Sequence, residues 1–159
     1  MTAPSDWEAL GLVVLAGLLG AAIGFEREMA EKPAGLRTHM LVASAAGLIV
    51  VLGRIALAEA EGTGISGDPA RGLHAVITGI GFLGDGAIIS DRSEHRVRGL
   101  TTETSIFFAA AVGGVVAFGE IILAVGATVL AIATLSLLHW LETRVRERVG
   151  DGGPDRSDD

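Results

Sequence analysis

Two carboxylates stand where carboxylates are expensive. Asp85 interrupts an otherwise charge-free stretch from Gly72 to Ser90, and Glu103 interrupts another from Leu100 to Gly119. At the centre of a membrane helix such a charge costs roughly 2.5–3.5 kcal/mol on insertion scales, and nearer the boundary it still demands a partner or protonation. Three chemistries are open to this pair. Arg98 and Arg37 could serve as counter-ions. The two carboxylates could instead share a proton or a hard cation such as Mg²⁺, which favours oxygen ligands and keeps several waters. Or both could simply face cytoplasmic water. On the Asp85 stretch, His74, Thr78, Gly81 and Asp85 recur at helical spacing and so share one helix face. That polar stripe suits a proton or ion path. It equally suits interhelical hydrogen bonds from His74 and Thr78. His39 and His139 read as interfacial residues rather than metal ligands, because neither has a second His at ligand spacing.

These costs apply only if the stretches cross a bilayer, and composition says that they do. Of 159 residues, half are hydrophobic, 19% are charged, 23 are Gly and none is Cys. An ordinary soluble domain is about 25% charged with Gly near 7%. The apolar content excludes disorder, and the missing Cys excludes a disulfide or Cys-zinc scaffold. A net charge of −7 argues against nucleic acid as a partner, since phosphate binding needs basic patches. Three further stretches carry no charge at all: Ala9 to Phe25, Thr38 to Gly53 and Ile121 to Leu141. Each of the five approaches or reaches the roughly 17–25 residues that a helix needs to span a membrane. They are too long and too uniformly apolar for barrel strands, which alternate. The expected architecture is therefore an all-α integral membrane protein with five transmembrane helices. The first span lacks a preceding basic region and a cleavage site, so it reads as a span rather than a signal peptide.

Lys and Arg set the orientation. Arg27, Lys32, Arg37, Arg92, Arg96, Arg98, Arg144, Arg146, Arg148 and Arg156 fall on one side, and Arg54 and Arg71 on the other. The positive-inside rule then places the N-terminus outside and the C-terminus in the cytoplasm. Asp85 lies near the inner end of span three and Glu103 near the inner start of span four, about one turn inside the boundary. The two carboxylates are thus matched in depth. Trp7 and Trp140 suit interfacial anchors at opposite ends. Residues 1–149 read as one membrane domain, and 150–159 as an acidic, disordered tail. Asp68 and Pro69 look like the N-cap and first residue of span three.

Glycine has its own pattern. Gly20 and Gly24 form a G-x-x-x-G pair on span one, and Gly79, Gly81 and Gly84 repeat the device on span three. Small residues so spaced let helices approach closely in lipid, within the bundle or in a homo-oligomer. Gly79, Gly81 and Gly84 also spell G-x-G-x-x-G. A dinucleotide site needs a preceding strand and a βαβ unit, and this pattern sits inside an apolar span.

Several short motifs occur in order: Gly24-Phe25-Glu26-Arg27-Glu28, Lys32-Pro33-Ala34-Gly35-Leu36-Arg37-Thr38-His39-Met40, Asp68-Pro69-Ala70-Arg71, Gly79-Ile80-Gly81-Phe82-Leu83-Gly84, and Val97-Arg98-Gly99-Leu100-Thr101-Thr102. In this order and spacing the chain resembles the MgtC/SapB family of prokaryotic membrane proteins, from about Leu10 to Val149. The resemblance implies a five-helix domain in the plasma membrane. It implies a role in low-magnesium and acid adaptation, exerted through other membrane proteins such as the F-type ATP synthase. Many members carry an ACT-like domain after the last span, and this chain resembles the short form without one. The motif residues Glu26, Arg27, Glu28, Lys32, Arg37, His39, Arg98, Thr101 and Thr102 all fall at the cytoplasmic end. The loop that holds the first of them could dock another membrane complex or be a solvated connector. Asp85, Glu103 and His74 depart from the family pattern. No enzyme motif is present: there is no H-E-x-x-H and no G-x-S-x-G. The expected function is that of a regulator in the membrane, with a small Mg²⁺ or proton transporter as the alternative.

Overall fold

A computed structural model describes residues 3–60, 67–68, 71–90 and 99–150. All secondary structure in them is helical: α1 (Asp6–Met29), α2 (Leu36–Ala60), α3 (Arg71–Ser90), α4 (Leu100–Ala117) and α5 (Ile121–Gly150). Among the described residues, α1, α2, α4 and the Ile121–Leu138 part of α5 are long and apolar enough to cross a membrane. α3 has 20 residues, which is about 30 Å of helix.

Several helix ends have an identifiable cause. α1 opens with a capping box: Ser5 Oγ accepts from the Glu8 N–H, and Glu8 Oε2 accepts from the Ser5 N–H at 2.8 Å. The S-x-x-E signal for it stands in the sequence at Ser5 and Glu8. α1 closes in a Schellman motif, with Lys32 N–H on Arg27 O and Glu31 N–H on Glu28 O. Glu31 takes the left-handed position, at φ 54°. α4 closes in the same way, with Gly119 in that position at φ 88°. The Asp68 carbonyl accepts from Arg71 N–H at the start of α3. Pro69, the expected first residue of this helix, lies outside the described residues.

α1, α2 and α4 pack on one another. α5 lies against α1 and α4, and α3 against α2 and α4. Small residues make the contacts. A Cβ on Gly20 would sit 2.5 Å from His39 O, and one on Gly24 would sit 2.7 Å from Leu36 Cα. Gly113 of α4 abuts the Ala43 backbone of α2, and Gly47 of α2 meets Ala16 of α1. Such close backbone approach is what the expected G-x-x-x-G pair on α1 permits.

The large apolar side chains point outward. On α1, Leu10, Val14, Leu18, Phe25 and Met29 are exposed, while Ala16, Gly17, Gly20, Ile23 and Gly24 are buried. α5 repeats the inversion, with Ile122 91% exposed and Ala124, Thr128 and Ala131 inside. In water these faces would be far larger than the apolar patches that soluble monomers expose. In lipid they are the solvent-facing surface.

For the third span, the expected packing of Gly79 and Gly81 within the bundle is corrected. α3 meets the bundle through Gly72, Leu73, Val76, Ile80 and Gly84. Gly84 lies on Glu103, but a Cβ on Gly79 or Gly81 would meet nothing within 4 Å. These two glycines lie away from the packed face, so they do not bring helices together within the chain.

Candidate functional site

The described polar residues of the first, second and fifth motifs lie at one end of the bundle, where α1 and α3 finish and α2 and α4 begin, and Asp68 and Arg71 lie at the other, where α3 begins. Glu28 Oε2 accepts from the Leu36 N–H at 2.9 Å, satisfying a free donor at the start of α2. A Cβ on Gly35 would lie 2.8 Å from the same oxygen, so Gly35 makes room for this cap. Glu28 therefore ties the end of α1 to the start of α2. Arg37 and Thr38 are exposed on it, Lys32 is half-buried, and Ala34 is buried.

His39 is not interfacial. It is fully buried, at 0% exposure. Nδ1 lies 2.9 Å from Gly35 O, and Nε2 lies 3.0 Å from Ser105 Oγ on α4. Ser105 Oγ in turn donates to Thr102 O at 2.7 Å. The reason for the burial is the glycine seam: Gly20 and Gly24 draw α1 onto the first turn of α2 and close over the imidazole. Ser105 was missed in the sequence because its partner lies 66 positions away. A serine and a histidine at this spacing resemble a nucleophile and its base. Here, however, both are sealed, and the hydroxyl is bonded to a carbonyl.

Arg27 is 3% exposed. Its Nη1 lies 3.8 Å from Glu26 Oε2, an ion pair longer than a hydrogen bond. Arg27 Nε and Glu26 Oε2 are both buried without a hydrogen-bond partner. Arg27 also lies within electrostatic reach of His39.

The expected carboxylate pair is placed only in part. Glu103 is half-buried in the first turn of α4, and a Cβ on Gly84, the residue before Asp85, would lie 3.3 Å from its Oε2. The Asp85 side chain and all of Arg98 lie outside the described residues. Arg37 is exposed and forms no ion pair with Glu103. Thr101 is exposed and Thr102 buried. Among the described residues, no three His, Asp or Glu side chains are grouped to hold a metal. His74 and Thr78 are exposed, and the Thr78 hydroxyl donates to the His74 carbonyl on its own helix. The hydrogen bond from Thr78 to another helix is therefore not made, because the helix presents this face away from α2 and α4.

At the opposite end, Arg54 of α2 donates from Nη1 to the Ala117 carbonyl, capping the last turn of α4. Trp7 and Trp140 are both exposed, and the Arg144 guanidinium stacks over the Trp140 ring at 4.9 Å.

Inverted packing, four long apolar helices among the described residues and charged residues collected toward helix ends define a multi-pass helical membrane protein in a lipid bilayer. The chain belongs to the MgtC family, whose model matches residues 13–144. It is 35% identical over 137 residues to the "Putative magnesium transporter YhiD" of Escherichia coli K12, covering 86% of this chain and 63% of that one. It is 42% identical to the "Protein MgtC" of Brucella abortus, covering 78% of this chain and 48% of the relative. With the "Protein SrpB" of Synechococcus elongatus it shares 37% identity, covering 82% and 75%. The chain thus spans about half to two thirds of the length of the first two relatives. No solved structure matches.

Proposed function

We propose that the protein is a plasma-membrane regulator of magnesium and acid adaptation that acts through other membrane proteins, the F-type ATP synthase among them. Its N-terminus lies outside, α3 crosses the membrane along with the four long apolar helices, and the Arg27–His39 end faces the cytoplasm. Family membership supports the link to magnesium. The observation that carries the choice of regulator is the backbone contact between α1, α2 and α4. With Gly20 against His39 O and Gly113 against Ala43, these three helices leave no width for a hydrated ion between them. No catalytic turnover is needed for this role.

The second reading is transport of Mg²⁺ or protons. It is favoured by the name of the E. coli relative and by the nearness of Glu103 to Gly84, which precedes Asp85. The regulatory reading predicts that inverted membrane vesicles containing the F-type ATP synthase lose ATP-driven proton pumping when this protein is co-reconstituted. Unchanged pumping at saturating protein would overturn that route of action.

A further inference from the structure

His39 is a buried titratable group shared between two helices, and neither reading above uses it. Its hydrogen bonds can be counted. The Gly35 carbonyl only accepts, so Nδ1 must carry a hydrogen. Ser105 has one hydroxyl hydrogen. Its Oγ lies 2.7 Å from Thr102 O, which only accepts, and 3.0 Å from His39 Nε2. With a neutral imidazole, one hydrogen must serve two acceptors. If Ser105 turns to Nε2, Oγ faces Thr102 O lone pair to lone pair. If it stays on Thr102 O, Nε2 faces an oxygen lone pair. Bulk water does not reach either mismatch, because Ser105 is 4% exposed and His39 is fully enclosed. A second ring hydrogen completes the count. Nε2–H then donates to Ser105 Oγ, Ser105 donates to Thr102 O, and Nδ1–H donates to Gly35 O.

We propose that His39 and Ser105 form a proton-binding site that ties α2 to α4. A proton from solution binds Nε2, the His39–Ser105 hydrogen bond reverses direction, and the serine hydroxyl commits to the Thr102 carbonyl. The first turns of α4 thereby respond to the charge on α2. Among the described residues, the charged groups where α1 ends and α2 and α4 begin are Glu26, Arg27 and Glu28 of α1, Glu31 and Lys32 of the turn, Arg37 of α2 and Glu103 of α4. Of these, Arg27 opposes the second ring proton by its like charge, so the proton must be held against it by the hydrogen bonds to Ser105 and Gly35, with Glu26 beside Arg27 to offset that charge. α3 adds no carboxylate among its described side chains, and α5 does not pack on α2. The inference is independent of the regulatory role proposed above.

The test is ring-nitrogen NMR of the protein in lipid nanodiscs between about pH 5 and pH 8, where histidine changes charge. Replacing His74, His95 and His139 by Gln leaves one imidazole to observe, and His74 is exposed in the structure. Both ring nitrogens should reach the imidazolium shift at the acid end. The Thr102 and Ser105 amide signals should move with the same midpoint, and Ser105→Ala should abolish that movement. A ring that keeps one protonation state across the range would overturn the proposal. So would α4 amides that ignore its titration, or that follow it equally in Ser105→Ala.

Discussion

Glu31 holds a backbone conformation that glycine normally takes. At φ 54° it closes α1 in the same Schellman pattern that Gly119, at φ 88°, provides for α4. A left-handed non-glycine residue costs roughly 1–2 kcal/mol, partly offset because glycine is freer in the unfolded chain. The two positions therefore predict opposite signs. Glu31→Gly should raise the thermal midpoint in detergent, by up to about 1 kcal/mol in stability, and Gly119→Ala should lower it by a similar amount. A fall for Glu31→Gly would mean that its side chain stabilises the turn by more than the strain costs. Residues of this kind are poorly legible in sequence. The Lys32–Arg37 motif reads as a charged loop, yet Glu28 caps α2 and His39 is sealed inside. Charge type says that a residue prefers water. It does not say which donor a folded hairpin brings within 3 Å.

At the scale of the element, α1, α2 and α4 owe their contact to glycine, and α3 does not use the same residues in the same way. Gly113 has the Ala43 backbone where a side chain would go, whereas Gly81 has open space. Gly113→Ala should destabilise by about 1–3 kcal/mol, the usual cost of overpacking. Gly81→Ala should be neutral, or gain up to about 1 kcal/mol from helix propensity. Equal losses at both positions, read as thermal midpoints, would show that α3 packs through Gly81 against a second copy. The spans themselves were legible, because these charge-free stretches each fall inside one helix: Ala9–Phe25 lies within α1, Thr38–Gly53 within α2 and Ile121–Leu141 within α5. Which face of a glycine-rich helix has a neighbour was not. Spacing puts Gly79, Gly81 and Gly84 on one helix, but only tertiary placement sets Gly84 on Glu103 and leaves the others open.

At the scale of the molecule, the bundle is inverted relative to a soluble protein, with Ala and Gly inside and Leu, Ile and Phe outside. That inversion, with charge collected at helix ends, follows from a solvent that satisfies no backbone group. It was legible as composition, since low charge and high Gly are its direct expression. The polar end was legible only as a list of motif residues. The links among them, Arg27 with Glu26 and His39 with Ser105, depend on side-chain geometry across helices. The central claim is that this closed trio of helices regulates rather than conducts. It is tested most directly by Mg²⁺ and proton flux into liposomes holding the purified, folded protein. The account predicts flux no greater than in empty liposomes. Flux above that level that is lost in Glu103→Gln would contradict it and establish the transport reading.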